Sequence, residues 1–163
     1  MTRLRVSTAL LVPSQAVDEF PVWSLDSRFL GANIGGKWFK LDTLKVQLRA
    51  ATWHERRIGT VSTEPKLEPM KTEEVEAWTK QSHHGDTELT GESGLRVEMQ
   101  HHDLSTSLVV FRGRRKSVIW TSGMENCGAL SLSPTESYVA YICEMNGVFV
   151  MNLGQTLQKS GVR

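Results

Sequence analysis

The sequence predicts an all-β fold, with two antiparallel sheets packed together and one short helix in an acidic insertion. Short segments rich in β-branched and aromatic residues recur along the 163-residue chain, and this composition is typical of strands. Gly, Ser, Thr, Asn and Asp separate these segments, as they do at turns. A pattern of turn, strand, hairpin and strand also occurs twice, which indicates a repeated structural unit.

Strands are predicted where the β-branched and aromatic residues cluster. They are Leu4–Val12, Phe29–Ile34, Lys37–Leu41, Val46–Thr52, Arg57–Ser62, Gly94–Gln100, Ser107–Arg112, Ser117–Thr121, Tyr138–Cys143 and Val148–Leu153. Hairpin turns are predicted at Gly35-Gly36, Arg112–Arg115 and Asn146-Gly147, since Gly and Asn adopt positive φ at low cost. The expected core is Trp23, Phe29, Leu30, Trp38, Phe39, Val109, Phe111, Ile119, Tyr138, Ile142, Phe149 and Val150.

One segment has helix signals, near residues 72–81. Thr72 is expected to cap a first turn in which the negative charges of Glu73 and Glu74 suit the helix dipole. Val75 and Trp78 then share one face of the helix, and Gly85 ends the region. This segment is the only helix that the sequence predicts.

The repeated pattern starts at Trp23 and again at Leu132. In each copy an apolar residue and a Ser lead into a polar turn, and a strand that begins aromatic, aliphatic, small follows. After a one-residue gap, residues 37–42 align with residues 147–152. The residues that match a motif close to P-x-W-S-P-D-G-x-x-L-A-F are Pro21, Trp23, Ser24, Asp26 and Leu30 in the first copy and Ser133, Pro134, Val139 and Ala140 in the second.

These residues resemble the repeat of TolB-like β-propellers. Leu25 departs from the motif Pro, Ser27 from the turn Gly, and Thr135-Glu136 from Asp-Gly. The resemblance covers about a third of the chain and implies that its two sheets are propeller blades. A closed propeller needs about 4–8 blades, more than this chain supplies. The blade-like sheets are therefore expected to pack face to face, to pair with a second copy, or to be covered by another protein.

Length and charge predict a single domain over residues 1–163, with repeat-like halves at 1–63 and 104–153, an acidic insertion at 64–103 and a frayed tail at 154–163. The net charge is +1, but the insertion holds ten acidic and four basic residues, a local charge of −6. No apolar run approaches the roughly 18 residues that span a bilayer. Neither a membrane nor direct nucleic-acid binding is predicted, since the chain has no general basic excess.

The sequence predicts no enzyme, metal site or cofactor. The pairs His83-His84 and His101-His102, with Asp86 and Asp103 nearby, are the candidate metal ligands. Both pairs lie where turns are expected, and adjacent residues of a strand would point to opposite faces. Gly91–Gly94 lacks the spacing and the helix of a nucleophile elbow. A solvated loop is therefore the favoured interpretation of these histidines.

The cysteines and the N-terminus favour a cytoplasmic protein. Cys127 and Cys143 are expected to be free thiols that are not bonded to each other, since two cysteines make no disulfide framework and a buried free Cys packs as a small hydrophobe. Reduced thiols are typical of the cytosol. Leu4–Val12 is interpreted as a strand rather than a signal peptide, with Ser14-Gln15-Ala16 as a weak candidate cleavage site.

The acidic insertion is the candidate binding element. Its candidate partner-binding residues are Glu68, Glu73, Glu74, Glu76, Trp78 and Asp86. In one interpretation the insertion is solvated and Trp78 docks on the sheet. In the other, the carboxylates meet a basic partner and Trp78 anchors in a pocket. The basic tip Arg112–Lys116 is interpreted as a solvated turn that keeps sheet edges apart rather than as a phosphate site.

In design, a small protein without catalytic groups but with an acidic insertion resembles the bacterial immunity proteins directed against type VI secretion toxins. This resemblance implies an antitoxin that binds a cognate protein toxin with a basic surface, for example a nuclease, and occludes its active site. The alternative is a scaffold or subunit that contributes propeller blades to an assembly. A neighbouring reading frame for a toxin would favour the first function, and one with further propeller repeats the second.

Overall fold

The computed structural model of the chain describes residues 7–10, 19–45, 48–49, 60–62, 66–103, 105–122, 127–143 and 147–153. The strands are β1 (Ser7–Leu10), β2 (Val22–Trp23), β3 (Phe29–Ile34), β4 (Lys37–Asp42), β5 (Leu48–Arg49), β6 (Thr60–Ser62), β7 (Glu68–Pro69), β8 (His83–Gly85), β9 (Glu88–Thr90), β10 (Arg96–His102), β11 (Ser105–Arg112), β12 (Arg115–Ser122), β13 (Cys127–Leu132), β14 (Tyr138–Cys143) and β15 (Gly147–Asn152). The helix α1 is Thr72–Gln81, and Thr43–Lys45 forms a 3₁₀ turn. The predicted tail 154–163, most of the predicted strands Leu4–Val12 and Val46–Thr52, and half of Arg57–Ser62 lie outside the described residues.

The described strands form three sheets. The first sheet has the order β2-β3-β4-β7, and the second has the order β12-β11-β10-β9. The central sheet has the order β5-β6-β1-β15-β14-β13-β8. Within it, the run β13-β14-β15 is completed by the N-terminal β1, which pairs antiparallel with β15. The predicted all-β class with one helix is confirmed, with three blade-sized meanders instead of the two predicted.

The central sheet lies between the other two. Alternate residues of β14 point to opposite faces, and both faces are covered. Val139 and Tyr141 pack in a core with the second sheet, whereas Ala140 and Ile142 pack in a core with the first. This double coverage explains why Tyr138–Cys143 is apolar at almost every position.

The predicted core residues are all at least half-buried. Trp23, Leu30, Val109, Phe149 and Val150 are buried, and the other seven are partly buried. Several residues that are completely buried between the central and the second sheet are absent from the predicted core. These are Leu95, Leu108, Leu130, Leu132, Tyr141 and Met151.

The hairpin turns have the residues that their backbone requires. Gly35 and Gly36 have φ of 60° and 84°, so both central positions of the β3–β4 turn are left-handed, as in a type I′ turn. Gly113 has φ of 61° at the first central position of the β11–β12 turn, as in a type II′ turn. Strands β14 and β15 also pair as a hairpin, with Cys143 opposite Gly147.

The same tight turn joins the first two strands of each meander, at residues 24–27, 91–94 and 133–136. In the first and third turns the first residue donates its N–H to the residue that starts the next strand, five positions on, at 3.0 and 2.9 Å, and in the turn 91–94 it donates to Leu95, four positions on, at 2.8 Å. The fourth residue donates its N–H back to the carbonyl of the first, at 2.9, 3.1 and 2.8 Å. The fourth residues have positive φ and are Ser27, Gly94 and Glu136. This turn therefore occurs three times, whereas the sequence predicts two copies of the repeat.

These three turns contact one another at one end of the molecule. The Thr135 hydroxyl lies 2.7 Å from Ser27 Oγ, which links the first turn to the third. The Glu136 carboxylate accepts the Ser93 hydroxyl at 2.7 Å, which links the third turn to the second. A side chain at Gly91 would overlap the same carboxylate. Hydrogen bonds between turns therefore tie the ends of the three sheets together.

The prediction of two free thiols is wrong. Cys127 of β13 lies directly opposite Cys143 of β14, their Cα atoms are 4.0 Å apart, and a disulfide joins them. Both residues are almost fully buried. The pairing could not be predicted because Cys127–Leu132 is not among the predicted strands.

The predicted helix is confirmed over Thr72–Gln81, but its cap is one residue earlier than predicted. Lys71 has the extended backbone of an N-cap, and Thr72 is the first helical residue. The Glu74 carboxylate accepts the Lys71 N–H at 3.3 Å, which pairs one of the free donors at this helix end. Within the described residues, no helix is long and apolar enough to cross a membrane.

Candidate functional site

The candidate site is built on α1, which lies on the outer face of the first sheet. Its partly buried positions are Glu74, Val75, Trp78 and Gln81, and this i, i+1, i+4, i+7 spacing defines one helix face. The opposite face, with Glu73 and Glu76, is exposed. The fold therefore sorts the acidic residues of the insertion into an inner and an outer group.

Glu74 belongs to the inner group. Its carboxylate accepts a hydrogen bond from Lys40 Nζ of β4 at 2.7 Å, and Lys40 Nζ also lies 5.9 Å from the centroid of the Trp78 ring. The hydrogen bond from Lys40 is the main cause that lowers the pKa of Glu74, against a smaller opposing effect of burial. Glu74 and Trp78 therefore hold the helix on the sheet.

The C-terminal end of α1 is fixed to Trp23. The Gln81 side-chain amide donates to the Trp23 carbonyl at 3.0 Å. Ser82 Oγ accepts the Trp23 N–H at 2.8 Å and donates to the Trp78 carbonyl at 2.8 Å. Since Trp23 is completely buried, these bonds attach the helix end to the core and present its outer face on a fixed support.

Three of the six predicted partner-binding residues remain exposed on this support. Glu73 and Glu76 lie on the outer face of α1. Glu68 lies opposite Lys40 in the β4–β7 pair, so the two side chains share the sheet face that carries α1. We call Glu68, Glu73 and Glu76 the acidic surface.

Asp86 is exposed but lies elsewhere. It follows β8, and its backbone carbonyl accepts the Ala129 N–H of β13 at 2.9 Å. The structure therefore associates Asp86 with the central sheet instead of α1. Of the predicted set, Trp78 is half-buried and keeps part of its ring accessible.

The histidine pairs lie in strands and not in the predicted turns. His83 and His84 are in β8, and His101 and His102 end β10. Among the described residues, no group of three or more His, Cys, Asp or Glu side chains is placed to hold a metal ion. The alternation of side chains along a strand accounts for this, because it separates the members of each pair.

His84 is partly buried and has one unpaired ring atom. Its ring lies 5.4 Å from Phe20, and its Nε2 has no hydrogen-bond partner in the described part of the chain. Ser131 lies directly opposite His84 across the β8–β13 pair, and its Oγ is likewise buried without a partner there. Burial is the main cause that lowers the pKa of His84, and a hydrogen bond to the Pro21 backbone opposes it.

We expect His84 to make the protein less stable in mild acid. The unfolded chain takes up a proton near pH 6.5, whereas the folded chain resists it. His84 therefore does not lower the free energy of unfolding above pH 6.5. That free energy declines as the pH falls below 6.5 towards the pKa of His84 in the folded protein, which is lower. The loss should stay below about 1 kcal/mol at pH 5.5, because the ring is only partly enclosed.

The measurement is urea unfolding at pH 7.5 and pH 5.5. His84→Asn should show a smaller loss between the two pH values than the unsubstituted protein. His101→Asn, at an exposed position of β10, is the matched control and should leave the loss unchanged. An identical pH dependence in all three proteins would contradict the role assigned to His84.

The basic tip Arg112–Lys116 lies on the second sheet, away from the first sheet and its helix. Arg112, Arg114, Arg115 and Lys116 are all exposed. Phe111 precedes the tip, and its ring contacts Arg96, whose guanidinium carbon lies 4.2 Å from the ring centroid. The tip thus places four cations where a partner can reach them.

Comparisons with known proteins identify no relative. No protein-family model matches the chain, and neither a curated protein nor a solved structure matches it.

Proposed function

We propose that this chain is a protein-binding module whose acidic surface binds a basic protein, and that the bound protein is a toxin neutralised in the manner of an immunity protein. The observation that carries the proposal is the exposure of Glu68, Glu73 and Glu76 around a helix that is fixed at both ends. A preformed surface loses little conformational freedom on binding. Exposed carboxylates also accelerate the encounter with a basic protein.

The internal contacts of α1 support this division of roles. Glu74 is neutralised by Lys40 at 2.7 Å, so it positions the helix. The outer carboxylates have no such cation in the described ion pairs. A toxin with basic residues around its active groups would thus meet unneutralised negative charge on a rigid support.

Location is part of the proposal. The expected cytoplasmic location rested partly on free thiols, and the Cys127–Cys143 bond removes that support. Disulfides persist in oxidising compartments, such as the bacterial periplasm. We therefore favour an inhibitor that meets its toxin in such a compartment.

A scaffold function is the second candidate. It is favoured by the three meanders that share one turn geometry and stack in a row, since repeated units of this kind build larger assemblies. Further propeller repeats in the product of a neighbouring reading frame would support it. A toxin domain encoded there would support the inhibitor.

The test uses the purified products of the two flanking reading frames as candidate partners. For a product that forms a complex, the triple variant Glu68→Gln, Glu73→Gln, Glu76→Gln should raise the Kd about tenfold at low salt. Most of the change should lie in the association rate, and raising the salt concentration should reduce it. Surface plasmon resonance at two salt concentrations measures both quantities.

The matched control changes three other exposed acidic residues, Glu88→Gln, Glu92→Gln and Asp103→Asn. It alters the net charge equally but leaves the acidic surface intact. Glu74 and Trp78 are not varied, because they hold the helix in place. Equal effects of the two triple variants, or no effect of either, would contradict binding at the acidic surface.

A further inference from the structure

Strand β12 is the longest edge strand among the described sheets. The other strands at sheet edges have two or three residues each, namely β2, β5, β7, β8 and β9, and β7 contains a proline. Short strands and prolines are devices that keep sheet edges from pairing with other chains. β12 has eight residues and no proline, so it lacks both devices, and its pairing with β11 is regular from Arg115 to Val118 before the register shifts at Ile119.

The β11–β12 hairpin determines which backbone groups of β12 face outward. In a two-residue hairpin, the pair that closes the turn is hydrogen-bonded, and the pairs alternate from there. Arg112 and Arg115 close this turn. Lys116 and Val118 therefore occupy non-hydrogen-bonded positions, and their N–H and C=O groups point away from β11.

Charge protects only the first half of this edge. Arg112, Arg114, Arg115 and Lys116 surround its beginning, whereas the remaining segment Ser117–Ser122 carries no charge. Within that segment Val118 is 55% exposed. The regular part of this edge therefore offers an added strand the uncharged residues Ser117 and Val118 next to the basic end, and it stops at Ile119, where the register with β11 shifts.

We propose that β12 binds an extended segment of a partner protein by strand addition, and that acidic residues of this segment lie opposite Arg115 and Lys116. Added backbone hydrogen bonds would supply affinity, and the basic end would select the sequence. A second copy of β12 fits less well, because it carries no acidic residue to meet these cations. This surface is basic and lies on a different sheet, so the inference goes beyond the proposed acidic binding surface.

Two peptides test the proposal. In one, five alternating Thr and Val residues precede three Glu residues, and in the other three Lys residues replace the Glu. An antiparallel peptide places its C-terminal end opposite Arg115, so the Glu peptide should bind about tenfold more tightly. Binding should shift the backbone amide resonances of Lys116 and Val118 in a ¹⁵N-labelled protein.

Substitutions separate strand addition from simple charge attraction. Val118→Pro removes an outward N–H and should abolish peptide binding, whereas the control Val118→Thr should retain it. The double variant Arg115→Glu, Lys116→Glu should reverse the peptide preference, and it provides a test if the proline variant does not fold.

Three results would overturn the proposal. They are equal binding of the two peptides, binding that survives in folded Val118→Pro, and an unchanged peptide preference in the charge-reversed variant. A dimer of the unliganded protein in sedimentation, dissociated by Val118→Pro, would also overturn it. The segment that pairs with β12 would then belong to a second copy of this chain.

Discussion

Replacement of Trp23 by alanine should lower the free energy of unfolding by about 3–5 kcal/mol. The Trp23 side chain has no exposed surface, and its ring stacks on Tyr138 with centroids 5.7 Å apart. Its indole N–H donates to the Ser131 carbonyl of the central sheet at 3.0 Å. The substitution therefore opens a cavity between two sheets and also leaves a buried acceptor unpaired.

Chemical denaturation followed by circular dichroism measures this loss. Trp23→Phe should lose less stability than Trp23→Ala, because it keeps most of the apolar volume. It still removes the indole donor, which should cost about 1–3 kcal/mol. Leu25→Ala is the matched control two residues away, where the side chain is 70% exposed, and it should change stability by less than about 0.5 kcal/mol. A loss in Trp23→Ala no larger than that of Leu25→Ala would contradict the role of Trp23 between the sheets.

Trp23 also shows why part of this fold could be predicted. Trp23 and Ser24 start the repeat, and the strand Phe29–Ile34 follows with the predicted bounds. Tyr138–Cys143 was likewise predicted at both ends. These segments combine β-branched or aromatic residues with a Gly-containing turn, so their local preferences and their tertiary environment agree.

Other strands carry no such local signal. The β13 segment Cys127–Leu132 contains no β-branched or aromatic residue, and it is a strand because β14 and β8 pair with it on either side. His83–Gly85 is polar and likewise has no residue that favours a strand. The third copy of the turn, residues 91–94, was missed because neither a Trp-Ser nor a Leu-Ser pair precedes it. In these cases tertiary pairing overrides a weak local preference.

The candidate site was predictable in composition but not in orientation. The sequence located α1 and its glutamates. Which glutamates face outward depends on the pairing of Glu74 with Lys40, 34 residues away. Helical periodicity alone could group Glu74 with Trp78 on one face, but it could not show which face the first sheet covers.

The disulfide was not predicted for the same reason, since it depends on the pairing of β13 with β14. Reducing the disulfide should lower the free energy of unfolding by about 3 kcal/mol. The bond closes a loop with a sequence separation of 16, which contains the turn 133–136 between β13 and β14. In the chain-entropy description, a loop of about this length costs the unfolded chain roughly 3 kcal/mol of freedom. Reduction returns that freedom to the unfolded state.

Reductant and substitution together separate the cross-link from the packing of the two side chains. The double variant Cys127→Ala, Cys143→Ala removes the bond and leaves small apolar residues at buried positions. We expect dithiothreitol to destabilise the unsubstituted protein in urea unfolding and to have no effect on the double variant. Any loss in the variant beyond that caused by reduction then measures packing.

A thiol titration gives the most direct result. Protein unfolded without reductant should contain no titratable thiol, because Cys127 and Cys143 are bonded to each other. Two thiols per chain, together with stability that does not respond to dithiothreitol, would contradict the bond and restore the argument for a reducing compartment. If no thiol is found and reduction lowers the free energy of unfolding by about 3 kcal/mol, the stability of the stacked sheets depends on an oxidising environment. The reason is that the bond joins two strands of the central sheet, against which both outer sheets pack.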